Sequence, residues 1–209
     1  GKKILVASDN NSKKEIKITQ GKPQKEFNIN NLRSNIVTIR IGQGHGSGFF
    51  IGNNGYLLTN AHVVGDSKSV QIITSSGMEI EGQVIRKSKS RDVSLIKVPL
   101  KITNSLYLKF EIPDIASDVY AAGTPIDEAL KTTVTKGIIS NIRVDNASGL
   151  KFIQADASIS PGNSGGPLFD KFGNVIGISV AKYNANSAEG LGLFIPLQDA
   201  FNSIKLSIE

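Results

Sequence analysis

The stretch most informative about the fold is Ser158-Ile159-Ser160-Pro161-Gly162-Asn163-Ser164-Gly165-Gly166-Pro167-Leu168. A serine is a weak nucleophile until a base removes its proton, so a reactive serine must be held rigidly against that base. The backbone N–H groups of Gly162 and Ser164 can converge on an oxyanion only where the chain turns sharply, and glycine tolerates such a turn. Gly165 and Gly166 remove side chains where backbone and substrate approach closely. We interpret the stretch as a nucleophile loop, with a Gly- and Pro-rich surface turn as the alternative.

Two segments nearer the N-terminus supply a candidate base and a candidate acid. His62 lies in Thr59-Asn60-Ala61-His62-Val63-Val64, just beyond a predicted strand, where burial favours the neutral imidazole. Asp92 precedes the apolar run Val93–Val98, and a buried carboxylate there needs a donor such as an imidazole N–H. Taken singly, each position is better explained as structural, the histidine as a packed side chain and the aspartate as a turn residue.

Around these segments the chain consists of short runs rich in Val, Ile, Thr and Phe, separated by Gly, Asn, Asp or Ser clusters. Such evenly spaced runs predict an all-β protein built from barrels. Twelve candidate strands fall into two groups of six, joined by the connection 99–117. The first group is Ile36–Ile41, Ser47–Ile51, Tyr56–Thr59, Val70–Thr74, Met78–Ile85 and Val93–Val98. The second is Val119–Ala122, Thr132–Ile142, Lys151–Gln154, Gly166–Phe169, Asn174–Ala181 and Leu191–Ile195.

One helix is expected, at the C-terminus. Pro196 precedes it, and Leu197, Phe201, Ile204 and Ile208 lie along one face at helical spacing. The resulting domain prediction is a basic arm over residues 1–26, a first β-barrel over 27–110, a second β-barrel over 111–196 and a C-terminal helix over 197–209.

Charge is concentrated at the N-terminus. The net charge of the 209 residues is +6, and residues 1–25 hold seven lysines against Asp9 and Glu15. We interpret this segment as a solvated, partly mobile arm. Binding of the arm to nucleic acid or an anionic surface, and its docking on a neighbouring subunit, are the alternatives.

Composition excludes several kinds of site. The chain has no cysteine, which excludes disulfides, a thiol nucleophile and thiolate metal sites. Its two histidines, His45 and His62, make a multi-histidine metal site unexpected, so we expect neither a metal nor a cofactor. No apolar run approaches the roughly 18 residues that cross a bilayer. His45, in a glycine-rich turn, is expected to be structural, or to shape the rim of the site.

The motifs together resemble the trypsin-like serine proteases, and more closely the bacterial HtrA/Deg branch of that family. The similarity runs from about residue 27 to 206 and keeps the family order His, Asp, Ser. It is carried by Gly46-Ser47-Gly48-Phe49, Leu58-Thr59-Asn60-Ala61-His62-Val63-Val64, Asp92-Val93-Ser94-Leu95-Ile96-Lys97, Ala122-Gly123-Thr124-Pro125, Thr133-Val134-Thr135-Lys136-Gly137-Ile138-Ile139-Ser140, Gln154-Ala155-Asp156, Gly162-Asn163-Ser164-Gly165-Gly166-Pro167 and Val175-Ile176-Gly177-Ile178.

The resemblance implies a chymotrypsin-like fold of two six-stranded antiparallel barrels, with the active site between them, and serine endopeptidase activity on polypeptides. Ser164 would attack the scissile carbonyl, His62 would act as general base and then acid, and Asp92 would orient His62. The N–H groups of Gly162 and Ser164 would form the oxyanion hole. The resemblance also implies an exported protein, periplasmic or secreted, whose signal sequence is absent from this chain.

Two positions refine the expected enzyme. Asn163 stands where many trypsin-like enzymes carry an aspartate that pairs with a freed N-terminus, so we expect no activation by cleavage at residue 1. Ser158 stands at the expected base of the substrate pocket and brings no charge for a Lys or Arg substrate. The expected pocket wall is small and apolar, which predicts loose cleavage after Val, Ala or Leu. Its residues are Ile178, Ser179, Val180 and Ala181, with Gly190 and Leu191 opposite.

Two further expectations concern assembly and activity. HtrA enzymes often carry a PDZ domain after the protease domain, and this chain contains none; a homo-oligomer through the N-terminal arm remains open. The alternative function is a catalytically silent module of the same fold that binds peptides or misfolded protein, because a sequence does not show whether the oxyanion loop is in its working conformation.

Overall fold

The structure is a computed structural model that describes residues 13–124, 131–180 and 191–209. Strands dominate it, and its α-helices are short: α1 Ile29–Leu32, α2 Ala61–Val64 and α3 Leu197–Ser203. The strands are β1 Ile16–Ile18, β2 Ile36–Ile41, β3 Gly44–Ile51, β4 Tyr56–Thr59, β5 Ser69–Ile73, β6 Glu79–Ser88, β7 Val93–Lys97, β8 Asp118–Gly123, β9 Thr133–Val144, β10 Lys151–Ala155, β11 Pro167–Asp170, β12 Val175–Ser179, β13 Gly192–Pro196 and β14 Leu206–Ile208.

Twelve of these strands close into two barrels. The first has the strand order β2-β3-β4-β7-β6-β5, and the second has the order β10-β13-β12-β11-β8-β9. Neighbouring strands are antiparallel in both barrels. The predicted all-β fold with two six-stranded antiparallel barrels is therefore confirmed.

The strands that face the other barrel are apolar on both sides because both sides are buried. On β3, Phe50 points into the core of the first barrel, whereas its neighbour Phe49 packs into a second cluster between the barrels. On β4, Leu57 and Leu58 divide in the same way. Successive side chains of a strand alternate between its faces, so each barrel contributes one row of side chains to the seam between barrels. The loops that carry the candidate site residues lie along this seam.

Residues 16–20, near the N-terminus, are part of the folded body. β1 pairs in parallel with β14, and Ile18 is 1% exposed. The side-chain amide of Gln20 then bonds both the N–H and the carbonyl of Leu108, each at 2.9 Å. The expectation of a solvated arm over residues 1–26 is therefore wrong for residues 16–20. The reason is that β1 pairs with β14, which lies near the other end of the chain. Residues 1–12 lie outside the described residues.

The C-terminal segment differs from the expected helix over 197–209. The helix α3 ends at Ser203, and Lys205 adopts φ +59, a left-handed conformation that ends helices. The chain continues as β14, which β1 completes as a two-stranded sheet. Within α3 and just beyond it, Leu197, Phe201 and Ile204 are buried as their helical spacing predicts.

Between the barrels, the chain from Val98 to Ser117 contains no strand, only one isolated bridge from Leu108 to Val175. The first barrel begins at Ile36, later than the expected boundary at residue 27. Phe27 instead stacks on Tyr120 of the second barrel, with 3.9 Å between ring centroids. The segment before Ile36 thus contacts both barrels, because Thr19 also bonds Asn53, in the turn between β3 and β4 of the first barrel, at 2.9 Å.

Candidate active site

His62 lies on α2, the single helical turn that follows β4. The turn begins after Asn60, and Gly65, at φ +57, ends it. The backbone of α2 therefore turns the chain away from the sheet directly after the strand. The imidazole lies at the edge of the first barrel, and 31% of its side chain is exposed.

Asp92 lies in the turn just before β7 and holds His62 by two hydrogen bonds. Its Oδ1 accepts the backbone N–H of His62 at 2.8 Å, and its Oδ2 lies 2.7 Å from the imidazole Nδ1. A carboxylate only accepts hydrogen bonds, so Nδ1 carries the proton and Nε2 is left as a basic nitrogen. Asp92 has φ +68, which a non-glycine residue rarely adopts and which costs about 1–3 kcal/mol. The fold thus holds this carboxylate in a strained position directly behind the histidine.

Ser164 comes from the second barrel, in the loop between β10 and β11. Its Oγ lies 2.9 Å from Nε2 of His62. Its carbonyl accepts the N–H of Ser47 from the first barrel at 2.9 Å, which fixes the loop across the seam. The structure therefore brings the three predicted residues together in one hydrogen-bonded line, although they are widely separated in sequence and come from two barrels.

Asn60 is a fourth residue of the site, which the sequence motif contains but which we did not single out. It is fully buried, its Nδ2 donates to the carbonyl of Asp92 at 3.0 Å, and its Oδ1 accepts from Ser164 Oγ at 2.7 Å. Because Ser164 has a single hydroxyl proton, it donates at any moment either to Asn60 Oδ1 or to Nε2 of His62. Two features of the sequence could have identified Asn60. It lies two residues before the candidate base, and it is a polar residue in a mostly apolar run.

The loop before Ser164 contains a 3-10 turn, Pro161–Asn163, in which the N–H of Asn163 donates to the Ser160 carbonyl at 2.9 Å. From the first barrel, Ser47 Oγ donates to the Gly162 carbonyl at 2.6 Å. These two hydrogen bonds hold the backbone carbonyls of Ser160 and Gly162 in place. The expected use of the Gly162 and Ser164 N–H groups as an oxyanion hole stays a prediction.

Asn163 occupies a neutral pocket in the second barrel. The side chain is 3% exposed, and its Oδ1 accepts the Thr133 hydroxyl at 3.3 Å. A Cβ added to Gly123 would lie 2.6 Å from that oxygen, so a glycine is needed beside the amide. The Thr133 hydroxyl thus holds this amide, and the expectation that the enzyme needs no activation by cleavage at residue 1 stays a prediction.

The expected substrate pocket is described only in part. Ile178, Ser179 and Val180 are fully buried, and Ser179 bonds the N–H of Gly165 through its carbonyl at 3.0 Å. The carbonyl of Ser158 accepts the Thr135 hydroxyl at 2.7 Å. Leu191 is half-buried, and Ala181 and Gly190 lie outside the described residues. The pocket and its preference therefore stay predictions.

An open cavity of about 640 Å³ lies beside the reactive groups, on the side of the first barrel. His62 and Ser164 line it together with His45, Val63 and Ile41. His45 is therefore at the rim of the site, one of the two roles expected for it.

Neither a cluster of metal ligands nor a membrane-spanning helix occurs among residues 13–124, 131–180 and 191–209. No three His, Asp or Glu side chains in this part of the chain converge into a group that could hold a metal ion. No helix in it is long and apolar enough to cross a membrane.

Comparison with known proteins defines the class. Residues 46–178 match the family described as "Trypsin-like peptidase domain", and the chain belongs to that family. HhoB of Synechocystis sp., named as a serine protease, is 39% identical over 169 residues, which cover 77% of this chain and 39% of HhoB. A DegP-like protein of Bartonella henselae, named as a periplasmic serine endoprotease, is 35% identical over 175 residues, which cover 78% of this chain and 33% of that protein.

The comparison of folds indicates the HtrA branch of this family. The structure titled "HtrA-type protease AlgWS227A with tripeptide" matches with a TM-score of 0.74 and 28% identity, covering 83% of this chain and 60% of that one. The resemblance to the HtrA branch that the sequence motifs indicate is confirmed. The chain spans between a third and two fifths of the length of the curated relatives cited above.

Proposed function

We propose that this chain is the catalytic domain of a serine endopeptidase that hydrolyses polypeptides through an acyl-enzyme. The observation that carries the proposal is the hydrogen-bonded line from Ser164 Oγ to Nε2 of His62, at 2.9 Å, and from Nδ1 of His62 to Asp92, at 2.7 Å. A nucleophile, a base within reach and a group that orients the base are the three parts that acyl transfer requires.

The reaction follows from the proton positions. Ser164 Oγ attacks the scissile carbonyl while its proton passes to Nε2 of His62. Asp92 stabilises the imidazolium that results, and the same Nε2–H then protonates the leaving amine. In the second step water attacks the acyl carbon while His62 takes its proton, and that proton passes to Ser164 Oγ as the bond between Oγ and the acyl carbon breaks. Backbone N–H groups of Gly162 and Ser164 are the proposed donors to the oxyanion in both steps.

The substrate we propose is an exposed or unfolded segment with a small or aliphatic residue before the scissile bond. Ser158 supplies no charge for a basic residue, and Ile178 and Val180 are apolar. One methylene group in an apolar pocket changes discrimination by only about 1–3 kcal/mol, so the preference is loose. Mapping the cleavage sites in a denatured protein tests it, and a dominant preference for Arg or Lys would overturn it.

We further propose that the protein acts outside the cytoplasm, because several relatives are named as periplasmic enzymes. Fractionation of cells that express the natural gene tests this. Recovery of the protein in the cytoplasmic fraction alone would contradict it.

Labelling with a fluorophosphonate is the decisive test of catalysis, because the reagent needs the nucleophile and base in working order. We expect one label per chain, at Ser164, and no label on Ser164→Ala. Failure of the folded wild-type protein to label, together with retained binding of unfolded polypeptide, would favour the catalytically silent binding module.

A further inference from the structure

The turn that carries Asp92 is held locally by Ser88 of the first barrel. The N–H of Asp92 donates to the Ser88 carbonyl at 2.9 Å, and the N–H of Arg91 donates to the Ser88 hydroxyl at 3.2 Å. Asp92 nevertheless has φ +68, so this turn needs support from the surrounding structure to keep its conformation.

The side chain of Arg91 supplies a contact beyond the first barrel. Only 4% of the side chain is exposed. Its Nη1 lies 3.3 Å from Oδ2 of Asp199 on α3. Its guanidinium carbon lies 4.4 Å from the ring centroid of Phe152, which is on β10 of the second barrel. One side chain thus joins the Asp92 turn to both the second barrel and the C-terminal helix.

A buried guanidinium has fewer acceptable positions than a buried apolar side chain, because it needs a charged partner at hydrogen-bonding distance. A charge taken out of water is stable only when it is paired, and the flat guanidinium both pairs with a carboxylate and stacks on an aromatic face. A shift of the Asp92 turn away from the second barrel would separate Arg91 from Asp199 and Phe152. The turn is therefore restrained in position as well as in conformation.

We propose that Arg91 is a positioning residue for hydrolysis, which fixes Asp92 and His62 of the first barrel relative to Ser164 of the second. The proposal rests on the proposed triad. The bond from Ser164 to His62 crosses the seam, and Arg91 is attached directly to the residue that holds His62. Loss of Arg91 leaves Asp92, His62 and Ser164 present but lets the first two move relative to Ser164.

The first test compares Arg91→Met and Arg91→Lys with the wild type, by measuring KM and the kcat per site titrated with a fluorophosphonate. Arg91→Met keeps an apolar side chain over Phe152 and removes the charge, and we expect kcat to fall about ten- to a hundredfold with KM unchanged, because small misplacement of reacting groups has effects of this size. Arg91→Lys keeps the charge without the flat fork and restores part of kcat. Arg33→Met, the same change at an exposed position, serves as control and leaves kcat unchanged.

A second measurement does not depend on turnover. We expect the Nδ1 proton of His62, which is hydrogen-bonded to Asp92, to give a separate low-field signal in the proton NMR spectrum, and we expect Arg91→Met to broaden or shift it. Unchanged kcat per titrated site, an unchanged low-field signal and only a lower melting temperature would show that Arg91 is merely structural and overturn the proposal. A wild-type protein that resists labelling contradicts the proposed function instead, and the NMR comparison still decides the role of Arg91.

Discussion

Gly165, the residue after the proposed nucleophile Ser164, offers a sharp test of how tightly the loop is held. It has φ +88, and a Cβ at this position would lie 2.3 Å from both the Ser47 carbonyl oxygen and the Thr59 hydroxyl oxygen. Gly165→Ala therefore incurs about 1–2 kcal/mol for the left-handed backbone. The overlap with two first-barrel atoms adds about 1–3 kcal/mol, the usual cost of overpacking. We expect the free energy of unfolding to fall by about 2–5 kcal/mol.

The overlap also has a catalytic consequence. It is relieved only if the loop moves away from the first barrel, which draws Ser164 away from His62. A displacement of about 1 Å at the reacting atoms can cost about a hundredfold in rate, so we expect kcat to fall by up to that factor.

Gly149→Ala is the matched control, because Gly149 has φ +72 and a Cβ there meets no heavy atom within 4 Å. It isolates the backbone cost of about 1–2 kcal/mol. Urea unfolding of both variants gives the free energies from the midpoint and slope, and active-site titration gives kcat per site. The reasoning is refuted if Gly165→Ala is as stable as Gly149→Ala and retains wild-type kcat.

Three other changes test separate parts of the structure. Asp92→Asn lowers kcat by about 10⁴-fold in steady-state assays with KM little changed, because an amide N–H facing Nδ1 favours the wrong tautomer of His62; a loss below about tenfold contradicts this. Ser47→Ala removes a buried hydroxyl that donates to the loop before the nucleophile, and we expect about 1–3 kcal/mol less stability in urea. An unchanged midpoint would argue that the contact contributes nothing. Hydrogen bonds from Ser148 hold the pKa of Asp145 below its ordinary value. The stabilisation they give is thus present above the unfolded-state pKa and lost as pH falls through the folded-state value. Thermal unfolding should show Ser148→Ala destabilised at neutral pH and equal to the wild type in strong acid; the same difference at both pH values would contradict the linkage.

The strands were predictable because their local signals agree with the fold. Runs of Val, Ile and Phe bounded by turn residues mark the twelve barrel strands without any knowledge of pairing. Only the ends of the strands shift; β3, for example, begins at Gly44 rather than at Ser47. The short strands β1 and β14 were missed. Each is three residues long, and each is stable only because the other lies beside it, which no local window of sequence reveals.

The site divides in a similar way. The glycines around Ser164 are explained by the sharp turn of their own loop. The sequence therefore identifies Ser164 directly as the candidate nucleophile. His62 and Asp92 are ambiguous alone and gain their roles from the order and flanking residues of a family. Asn60 and Ser47 escaped notice because their partners, Ser164 and Gly162, lie more than a hundred residues away in the other barrel.

The sequence alone was enough for the fold class, the candidate nucleophile loop and the neutral residue at position 163, because each depends on residue types at short spacing. Only the tertiary structure decided how the reactive groups meet. The left-handed turn at Asp92, the reach of Arg91 to Asp199, and the bond between Ser164 and His62 all depend on how two barrels pack across a seam. Contacts across that seam join residues that are neighbours in space alone, and their distances follow from packing rather than from any local pattern.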